Sequence, residues 1–270
     1  MAQIKPMLLE ETYDKSILRD DSKWFQIKEN GTRGIIHVLD GKIVGIRNRS
    51  NLPIFYLFPE LKDITLPFKS AILDGELCVF KNGKSVFYSG IDQRRSVPDT
   101  NTLKENPVTL VLFDALKVND DILIMKPYRE RYEKLLHITA TDKIKVASNW
   151  YNGLELWDKV TKENQEGVVI KNPSAPYELD TRSKNYIKIK NYKLLDIVVE
   201  KTEQNSKGTK VFGKTNIENK EMIVEVQLSG VFDVSIGTTQ TIKYLDICGN
   251  RLIQPTKVNR EQNGGINVKT

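Results

Sequence analysis

Short apolar runs alternate with polar turns through the first 190 residues, a pattern typical of antiparallel strands. Residues 34–39 and 42–47 flank the dipeptide Asp40-Gly41, and a glycine with positive φ can close a two-residue hairpin of this kind. Residues 108–116 are apolar enough to form a central strand. The pattern therefore predicts hairpins around at least one buried strand.

Two segments have helical spacing instead. Residues 127–138 begin with Pro127 and interleave acidic and basic side chains, which is typical of an exposed helix face. Leu154, Trp157 and Val160 recur at a three-residue step. Further short strands are predicted at 168–171, 186–190 and 197–200. Together these elements predict an α+β fold that is mixed but mostly antiparallel.

The hydrophobic pattern changes near residue 191, after which short strand-like runs are separated by polar loops. About 80 residues with roughly five short strands suit a small β-barrel of the oligonucleotide-binding type, the OB-fold. We therefore predict two domains, 1–191 and 192–270. Residues 204–221 are the least apolar stretch and are predicted to form a mobile loop.

Composition narrows the class of protein. The chain has 270 residues, 39% of them hydrophobic and 28% charged, which indicates a folded protein that can bury its own core. With two Cys and two His, a disulfide framework or a four-cysteine zinc module cannot be assembled. The N-terminus does not look like a signal peptide, and no apolar run has the length of a membrane span. These features predict a cytoplasmic protein without membrane contact.

The net charge of +6 is compatible with a polyanionic partner. Residues 182–193 contain five basic residues and no acidic one. Such a run is most often a solvated strand face. Whether this basic run has a function therefore depends on the motifs found elsewhere in the sequence.

Candidate chemistry is distributed over five short motifs in a fixed order. They are Lys28-Glu-Asn-Gly-Thr-Arg33, Asp74-Gly75-Glu76, Phe113-Asp114, Glu166-Gly-Val-Val-Ile-Lys171 and Lys188-Ile-Lys190. The first motif alone is weak evidence, because composition produces such a string in roughly one chain in ten. The ordered set resembles the covalent nucleotidyltransferase superfamily, most closely the minimal, two-domain ATP-dependent DNA ligases. That resemblance implies a nucleotidyltransferase (ATP-grasp-like) domain over 1–191 and an OB-fold over 192–270.

The resemblance also implies roles for individual residues. Lys28 would be the catalytic nucleophile, with Lys188 and Lys190 as catalytic cations. Glu76 would bind the ribose, Phe113 would stack on adenine, and Gln26 with the backbone at Ile27 would read the edge of the base. The nucleotide-binding residues implied are Gln26, Ile27, Lys28, Arg33, Arg49, Glu76, Phe113, Lys171, Arg182, Lys188 and Lys190.

Elementary chemistry explains the need for these residue types. A lysine nucleophile must be neutral, yet with an ordinary pKa near 10.4 only about one lysine in a few thousand is neutral at pH 7. Burial and neighbouring cations favour the neutral form. Two lysines separated by one residue on a strand point to the same face and can meet one phosphate.

The cofactors expected are ATP and Mg²⁺, with Mn²⁺ as a substitute. Carboxylates suit Mg²⁺, and the resemblance implies Glu166 and Asp74 as its ligands. The NAD-dependent ligases carry an extra N-terminal domain and a cysteine-based zinc module. Only 27 residues precede Lys28 and only two Cys exist, so ATP is favoured over NAD.

Two positions depart from the family pattern. Asn30 stands where DNA ligases usually have Asp. The C-terminal motif that contacts pyrophosphate is represented only by Arg260, with Lys257 as a possible substitute. An RNA ligase or an RNA-capping guanylyltransferase therefore stays open as an alternative, as does an inactive nick-binding protein.

The expected partner is nicked duplex DNA, sealed through a lysyl-AMP intermediate and an adenylated 5′ end. No obligate protein partner is indicated, so we expect a monomer. The cell that contains it would be bacterial, archaeal or phage-infected, or the host cell if the source is viral.

Overall fold

The computed structural model describes residues 4–86, 90–217, 219–230, 232, 234–260 and 266–267, with the backbone alone at 93, 259, 260, 266 and 267. The chain divides into two compact units, Met1–Lys190 and Asn191–Thr270. No helix in the described part of the chain has both the length and the apolar character needed to cross a bilayer.

The first unit contains eleven strands and three α-helices within its described residues. The strands are β1 (Leu8–Glu11), β2 (Trp24–Ile27), β3 (Thr32–Leu39), β4 (Lys42–Arg47), β5 (Ser70–Lys81), β6 (Lys84–Val86), β7 (Val108–Val118), β8 (Asp121–Ile122), β9 (Ile144–Val146), β10 (Gly167–Lys171) and β11 (Arg182–Lys190). The helices are α1 (Thr100–Glu105), α2 (Tyr128–Leu135) and α3 (Gly153–Lys162).

The predicted hairpin is confirmed. Strands β3 and β4 pair antiparallel, with Leu39 opposite Lys42. Asp40 and Gly41 both have positive φ, 48° and 74°, which matches the twist of the flanking strands. Strand β7 is central as predicted, since Leu110 and Leu112 are fully buried.

Both predicted helices form. Pro127 occupies the N-cap of α2, where a missing N–H costs no intrahelical bond. The Asn152 side chain caps α3 by accepting a hydrogen bond from the Glu155 amide. Helix α1 was not predicted, and its burial pattern explains this: it contains no buried residue. An apolar stripe was therefore absent from its sequence.

These strands form two sheets. One has the order β1-β11-β10-β2, and the other has the order β4-β3-β5-β7-β8, with β6 added to β5 and β9 to β7. Only the pairs β1–β11 and β7–β9 are parallel among the described strands of this unit. The mixed, mostly antiparallel α+β prediction is thus confirmed for the first unit.

The second unit is a single sheet in its described residues. Its order is β16-β17-β14-β13-β12-β15-β18-β19, and its core includes Ile197, Val211 and Val224. The bounds are β12 (Lys193–Asn205), β13 (Gly208–Ile217), β14 (Lys220–Ser229), β15 (Thr239–Tyr244), β16 (Asp246–Cys248), β17 (Arg251–Ile253), β18 (Thr256–Arg260) and β19 (Ile266–Asn267).

The prediction of a mobile loop at 204–221 is wrong. Most of this segment is β13, in which Thr209, Val211, Gly213 and Thr215 are buried at every second position. Two of these inward residues are threonines and one is glycine, so the period of two carried little hydrophobic signal. The OB-type barrel stays a prediction, because the strand pairs describe an open sheet order.

Candidate active site

Strand register brings three of the five sequence motifs together in one sheet. In the four-stranded sheet, Val169 of β10 lies opposite Gln26 of β2 on one side and Lys188 of β11 on the other. One step further along, Gly167 lies opposite Lys190, and its carbonyl accepts a hydrogen bond from the Lys28 amide at 2.9 Å. Residues far apart in sequence therefore lie side by side on three neighbouring strands of this sheet.

This arrangement of strands places Lys28 against Glu166. The Lys28 Nζ lies 2.7 Å from Glu166 Oε1, and the side chains are 20% and 5% exposed. The second oxygen, Glu166 Oε2, is buried and has no hydrogen-bond partner in the described residues. A buried carboxylate oxygen of this kind is a ready acceptor for a cation or a donor that comes from outside the chain.

Lys188 and Lys190 point to one face, as predicted. Both reach Glu11 Oε2, at 3.2 Å and 3.6 Å, because Glu11 in β1 lies opposite Lys188 in the parallel pair with β11. Burial lowers the pKa of Lys190, with Glu11 opposing and Lys188 reinforcing that effect. Glu11 was not singled out in the sequence, where LLEE carries no motif.

The second sheet supplies the opposite wall through Arg33, Glu76 and Val111, which lie opposite one another on β3, β5 and β7. Burial raises the pKa of Glu76 to about 7, against the opposing influence of Lys28 and Arg33. Glu76 is therefore a carboxyl that changes charge near neutral pH. A hydroxyl group placed beside it would meet a charged acceptor above that pH, and below it a neutral carboxyl that can also donate.

Asp74 does not face the pocket. It is fully buried, and its two oxygens accept bonds from Arg33 Nε and Nη2 and from the Tyr177 hydroxyl. Because the Arg33 fork and the phenol already occupy both oxygens, this placement supports a role in fixing Arg33 and not the predicted metal role. Tyr177 carried no sequence signal that could have identified it.

Gln26, Phe113 and Val169 line a narrow pocket beside Lys28. The Phe113 ring has the Arg33 guanidinium at 4.8 Å and the Lys171 ammonium at 4.9 Å from its centroid. Val111, Phe113 and Val169 give the pocket an apolar lining, and Gln26 adds a polar group. A lining of this kind suits a nucleotide base, which has apolar faces and a polar rim.

Lys171 lies beneath this pocket and is fully buried. Its ammonium donates to the Phe113 carbonyl at 3.2 Å and to the Tyr128 hydroxyl at 3.0 Å, and lies 4.3 Å from the Tyr128 ring centroid. Burial lowers the pKa of Lys171 to about 7. This predicted nucleotide-binding residue is thus a buried part of the pocket wall.

An open cleft adjoins the pocket and carries most of the remaining predicted cations. Its shape depends on Gly31, where an added Cβ would lie 2.3 Å from the Leu77 carbonyl oxygen. Only glycine allows β3 to approach β5 so closely there. The predicted residues that line this cleft are Lys28, Arg33, Arg49, Glu76, Arg182 and Lys188.

Asn30, which departs from the family pattern, is held by its backbone. Its N–H donates to Ser85 Oγ at 2.8 Å. The neighbouring Glu29 is a buried carboxylate whose pKa is raised by burial, although Ser85 and Lys145 oppose that shift. The acidic group of this turn is therefore at position 29, directly after Lys28.

The residues fit a divalent cation only in part. No group of three or more His, Cys, Asp or Glu side chains that could hold a metal exists within the described ranges. Mg²⁺ does not require such a cage, since it usually takes one or two carboxylates and completes its shell with water and substrate phosphate. The unpartnered Glu166 Oε2 is the atom that meets this requirement.

Two predicted residues belong to the second unit. Lys257 is half-buried on β18, opposite Ile242 of β15. The Arg260 side chain lies outside the described residues. The predicted pyrophosphate contact is untested at both positions.

Known proteins resemble this chain. A family model described as the ATP dependent DNA ligase domain matches residues 6–190. The SPbeta prophage-derived DNA ligase-like protein LigB of Bacillus subtilis is 27% identical over 73% of this chain and 70% of its own length. The DNA ligase of Methanococcoides burtonii is 31% identical over 74% of this chain, which spans 36% of that relative.

Solved structures share the fold at lower identity. Mycobacterial DNA ligase D complexed with ATP has a TM-score of 0.63 at 19% identity and covers 93% of both chains. A structure from a study of Lig E DNA ligases has a TM-score of 0.65 at 16% identity and covers 94% of this chain and 98% of that one. Because the family model matches well over half of the sequence, the chain belongs to the ATP-dependent DNA ligase domain family.

Proposed function

We propose that this protein seals nicks in duplex DNA through a covalent lysyl-AMP intermediate on Lys28. The observation that carries the proposal is the position of Lys28 Nζ, 2.7 Å from Glu166 and beside a pocket that Gln26 and Phe113 line. The lone pair of the neutral amine attacks the α-phosphorus of ATP, the bond to the β-phosphate oxygen breaks, and pyrophosphate leaves. The amine proton is lost as the phosphoramidate forms.

Fixed cations stabilise the charge that develops on the phosphate oxygens. Lys188 and Lys190 lie on the strand next to Glu166 and project to one face. Their ammonium groups are held in place by Glu11 before the substrate arrives, so little reorganisation is needed during the reaction. Glu76 accepts a hydrogen bond from the ribose, and Phe113 stacks on adenine.

Glu166 Oε2 would hold a magnesium ion, and the ion would supply positive charge to the phosphate oxygens. Asp74 is not proposed as a ligand, because its oxygens are already engaged by Arg33 and Tyr177.

The later steps transfer AMP to the 5′-phosphate of a nick and join it to the 3′-hydroxyl. Arg49, Arg182 and Lys188 line the open cleft beside Lys28 and suit a phosphate of the nucleic acid. We take 1–191 as the adenylyltransferase domain and 192–270 as an OB-type domain. Contacts of this kind read phosphates, so binding should weaken with salt and depend little on sequence.

The proposal is tested by incubating the protein with α-labelled ATP or GTP and denaturing it before counting bound label. We expect label from ATP, none from GTP, and none in Lys28→Ala. Lys23→Ala is the matched control, since Lys23 is only four residues before β2 ends and pairs with Asp20. No label from either nucleotide, or equal label in Lys28→Ala, would contradict the proposal.

The polynucleotide is tested with nicked DNA, nicked RNA and hybrid duplexes of one sequence. We expect DNA nicks to be sealed fastest. Faster sealing of all-RNA nicks would assign the protein to the RNA ligases, the alternative that Asn30 keeps open. Label with GTP and transfer to an RNA 5′ end would instead indicate a capping enzyme.

A further inference from the structure

The hydroxyl of Tyr128 connects the floor of the base pocket to the one side chain proposed to read the base. Tyr128, the first residue of α2, is fully buried. Its oxygen lies 3.0 Å from Gln26 Nε2, 3.0 Å from Lys171 Nζ and 3.1 Å from the Phe113 carbonyl oxygen. A single phenol therefore touches three residues of the pocket.

The directions of these hydrogen bonds follow from which atoms can donate. The Phe113 carbonyl can only accept and the Lys171 ammonium can only donate, so Tyr128 gives its proton to the carbonyl. Burial raises the pKa of Tyr128 well above its usual value, which keeps that proton in place. The remaining lone pairs of the phenol are then acceptors only, and they face Lys171 and Gln26.

That direction decides how the Gln26 carboxamide is turned. Its Nε2 group meets three acceptors: the Tyr128 hydroxyl, the Ala147 carbonyl at 3.3 Å and Asn149 Oδ1 at 2.9 Å. Turning the amide by 180° would set its carbonyl oxygen against a carbonyl and a phenol that has no proton to give. Gln26 therefore holds its nitrogen toward Tyr128, and the side-chain hydrogen bonds of Gln26 to described residues all run through Nε2.

We propose that Tyr128 is a positioning residue for nucleotide choice: it fixes the Gln26 amide so that Oε1 faces the pocket as a hydrogen-bond acceptor. This inference rests on the proposed function, in which Gln26 reads the base. An acceptor pairs with the exocyclic amine of adenine, whereas guanine carries a carbonyl oxygen at the same ring position. The preference for ATP over GTP thus depends on a residue that never touches the nucleotide.

The variant that removes this control is Tyr128→Phe, which keeps the ring and deletes only the hydroxyl. The amide of Gln26 then loses one of its three acceptors. Of the two that remain, the Ala147 carbonyl is the more distant at 3.3 Å, and Asn149 can turn its own amide because its Nδ2 has no partner in the described residues. Gln26 can therefore present either end to the pocket. The matched control is Tyr132→Phe on the same helix, whose hydroxyl donates to the Ala147 carbonyl at 2.8 Å and does not bond Gln26.

The test measures equilibrium binding of three probes to the full chain: ATP, GTP and the triphosphate of purine riboside, which lacks the exocyclic amine. In the unmodified protein and in Tyr132→Phe we expect ATP to bind roughly tenfold or more tightly than purine riboside triphosphate, the discrimination of about one hydrogen bond. In Tyr128→Phe that ratio should fall to within about twofold, and GTP binding should rise.

A second variant keeps the inference falsifiable if Tyr128→Phe folds poorly. In Gln26→Leu the side chain has no amide, so there is no direction for Tyr128 to set. We expect Gln26→Leu to lose most of the preference for ATP over the analogue, and Tyr128→Phe to add no further change in that background. A preference for ATP that persists in Gln26→Leu would overturn the inference.

An equal loss of affinity for ATP and the analogue in Tyr128→Phe would also overturn it, because that result indicates a general packing role. Binding separates this inference from the proposed function. Discrimination without covalent label would leave the Tyr128 role standing and refute nick sealing. Covalent label together with unchanged discrimination in Tyr128→Phe would support the proposed function and refute the role of Tyr128.

Discussion

Two carboxylate–cation pairs of the first unit differ in how completely their hydrogen-bonding groups are satisfied. Arg131 and Asp114, the residue after Phe113, are 2.7 Å apart and both fully buried. Lys28 and Glu166 lie at the same 2.7 Å separation, and Lys28 keeps 20% of its side chain exposed. Distance alone therefore does not distinguish them.

Their other hydrogen bonds distinguish the two pairs. All five N–H groups of Arg131 have acceptors, which are Asp114, the Tyr186 hydroxyl and the carbonyls of Lys126 and Ala175. In the other pair, Glu166 Oε2 has no partner in the described residues. A buried pair with complete bonding holds structure together. A pair with an open oxygen beside a pocket can exchange its partner, as nucleotide transfer to Lys28 requires.

The largest expected effect concerns the cations beside the incomplete pair. Lys188→Ala or Lys190→Ala should lower the rate of nick sealing by roughly 10²–10³, because each removes a fixed charge from the transferring phosphate. Thermal unfolding should change little. Lys184→Ala, on the same strand but exposed, is the control. Either active-site variant would contradict the account if it melted early while sealing at an undiminished rate per folded molecule.

The complete pair should respond in the opposite way. Arg131→Met leaves the Asp114 carboxylate buried and unpaired, so we expect a loss of about 3–5 kcal/mol in the free energy of unfolding. Denaturant titration measures it, with Arg129→Met on the exposed face of α2 as the control. If the two variants were equally stable, the Arg131–Asp114 pair would not be the structural anchor described here.

Glu76 should show a smaller effect that depends on pH. Its pKa is raised by burial to about 7, above the ordinary carboxyl value, so the folded state binds the proton more tightly than the unfolded state. Folding stability due to this group is therefore full below about pH 4.5 and is lost between there and about pH 7. We expect Glu76→Gln to be more stable than the unmodified protein by roughly 1–2 kcal/mol at pH 8, and by nearly nothing at pH 4.

Thermal unfolding across that pH range measures the difference, and Glu105→Gln, at the exposed end of α1, is the control. The same substitution should weaken ATP use, since an amide is a poorer acceptor for a ribose hydroxyl than a carboxylate is. A stability gain that did not vary with pH would show that burial does not shift the titration of Glu76.

The smallest effect is expected in the second unit. Lys214 and Glu221 are 2.8 Å apart but 44% and 61% exposed. An exposed pair is screened by water, so Lys214→Gln should cost less than about 1 kcal/mol in the free energy of unfolding. Denaturant titration beside Arg131→Met gives the direct contrast. A cost near that of Arg131→Met would mean that exposure does not separate these pairs.

The sequence predicted the strands and motifs of the first unit better than it predicted which strands pair. Lys28, Glu166, Lys188 and Lys190 were recognisable as motifs, and the hairpin at Asp40-Gly41 followed from turn chemistry. Each of these signals is local, carried by a few adjacent residues. Register then brings the motifs together, and no short stretch of sequence encodes which strands pair.

What the sequence missed are residues whose roles depend on distant partners. Glu11 meets Lys188 only through the parallel pairing of β1 and β11, and Tyr128 meets Gln26 across 102 positions of chain. Asp74 looked like a ligand because it lies near Glu76 in sequence, but it is buried and its oxygens bond Arg33 and Tyr177. In β13, inward threonines and a glycine concealed a strand within a polar segment.

The central claim is that Lys28 forms the covalent bond to AMP. Incubating the protein with ATP and a divalent cation, digesting it and mapping the modified peptide by mass spectrometry tests this directly. The account predicts a single AMP on Lys28, absent in Lys28→Ala and unaffected in Lys23→Ala. An adduct on another residue, or no adduct in a protein that still seals nicks, would contradict it.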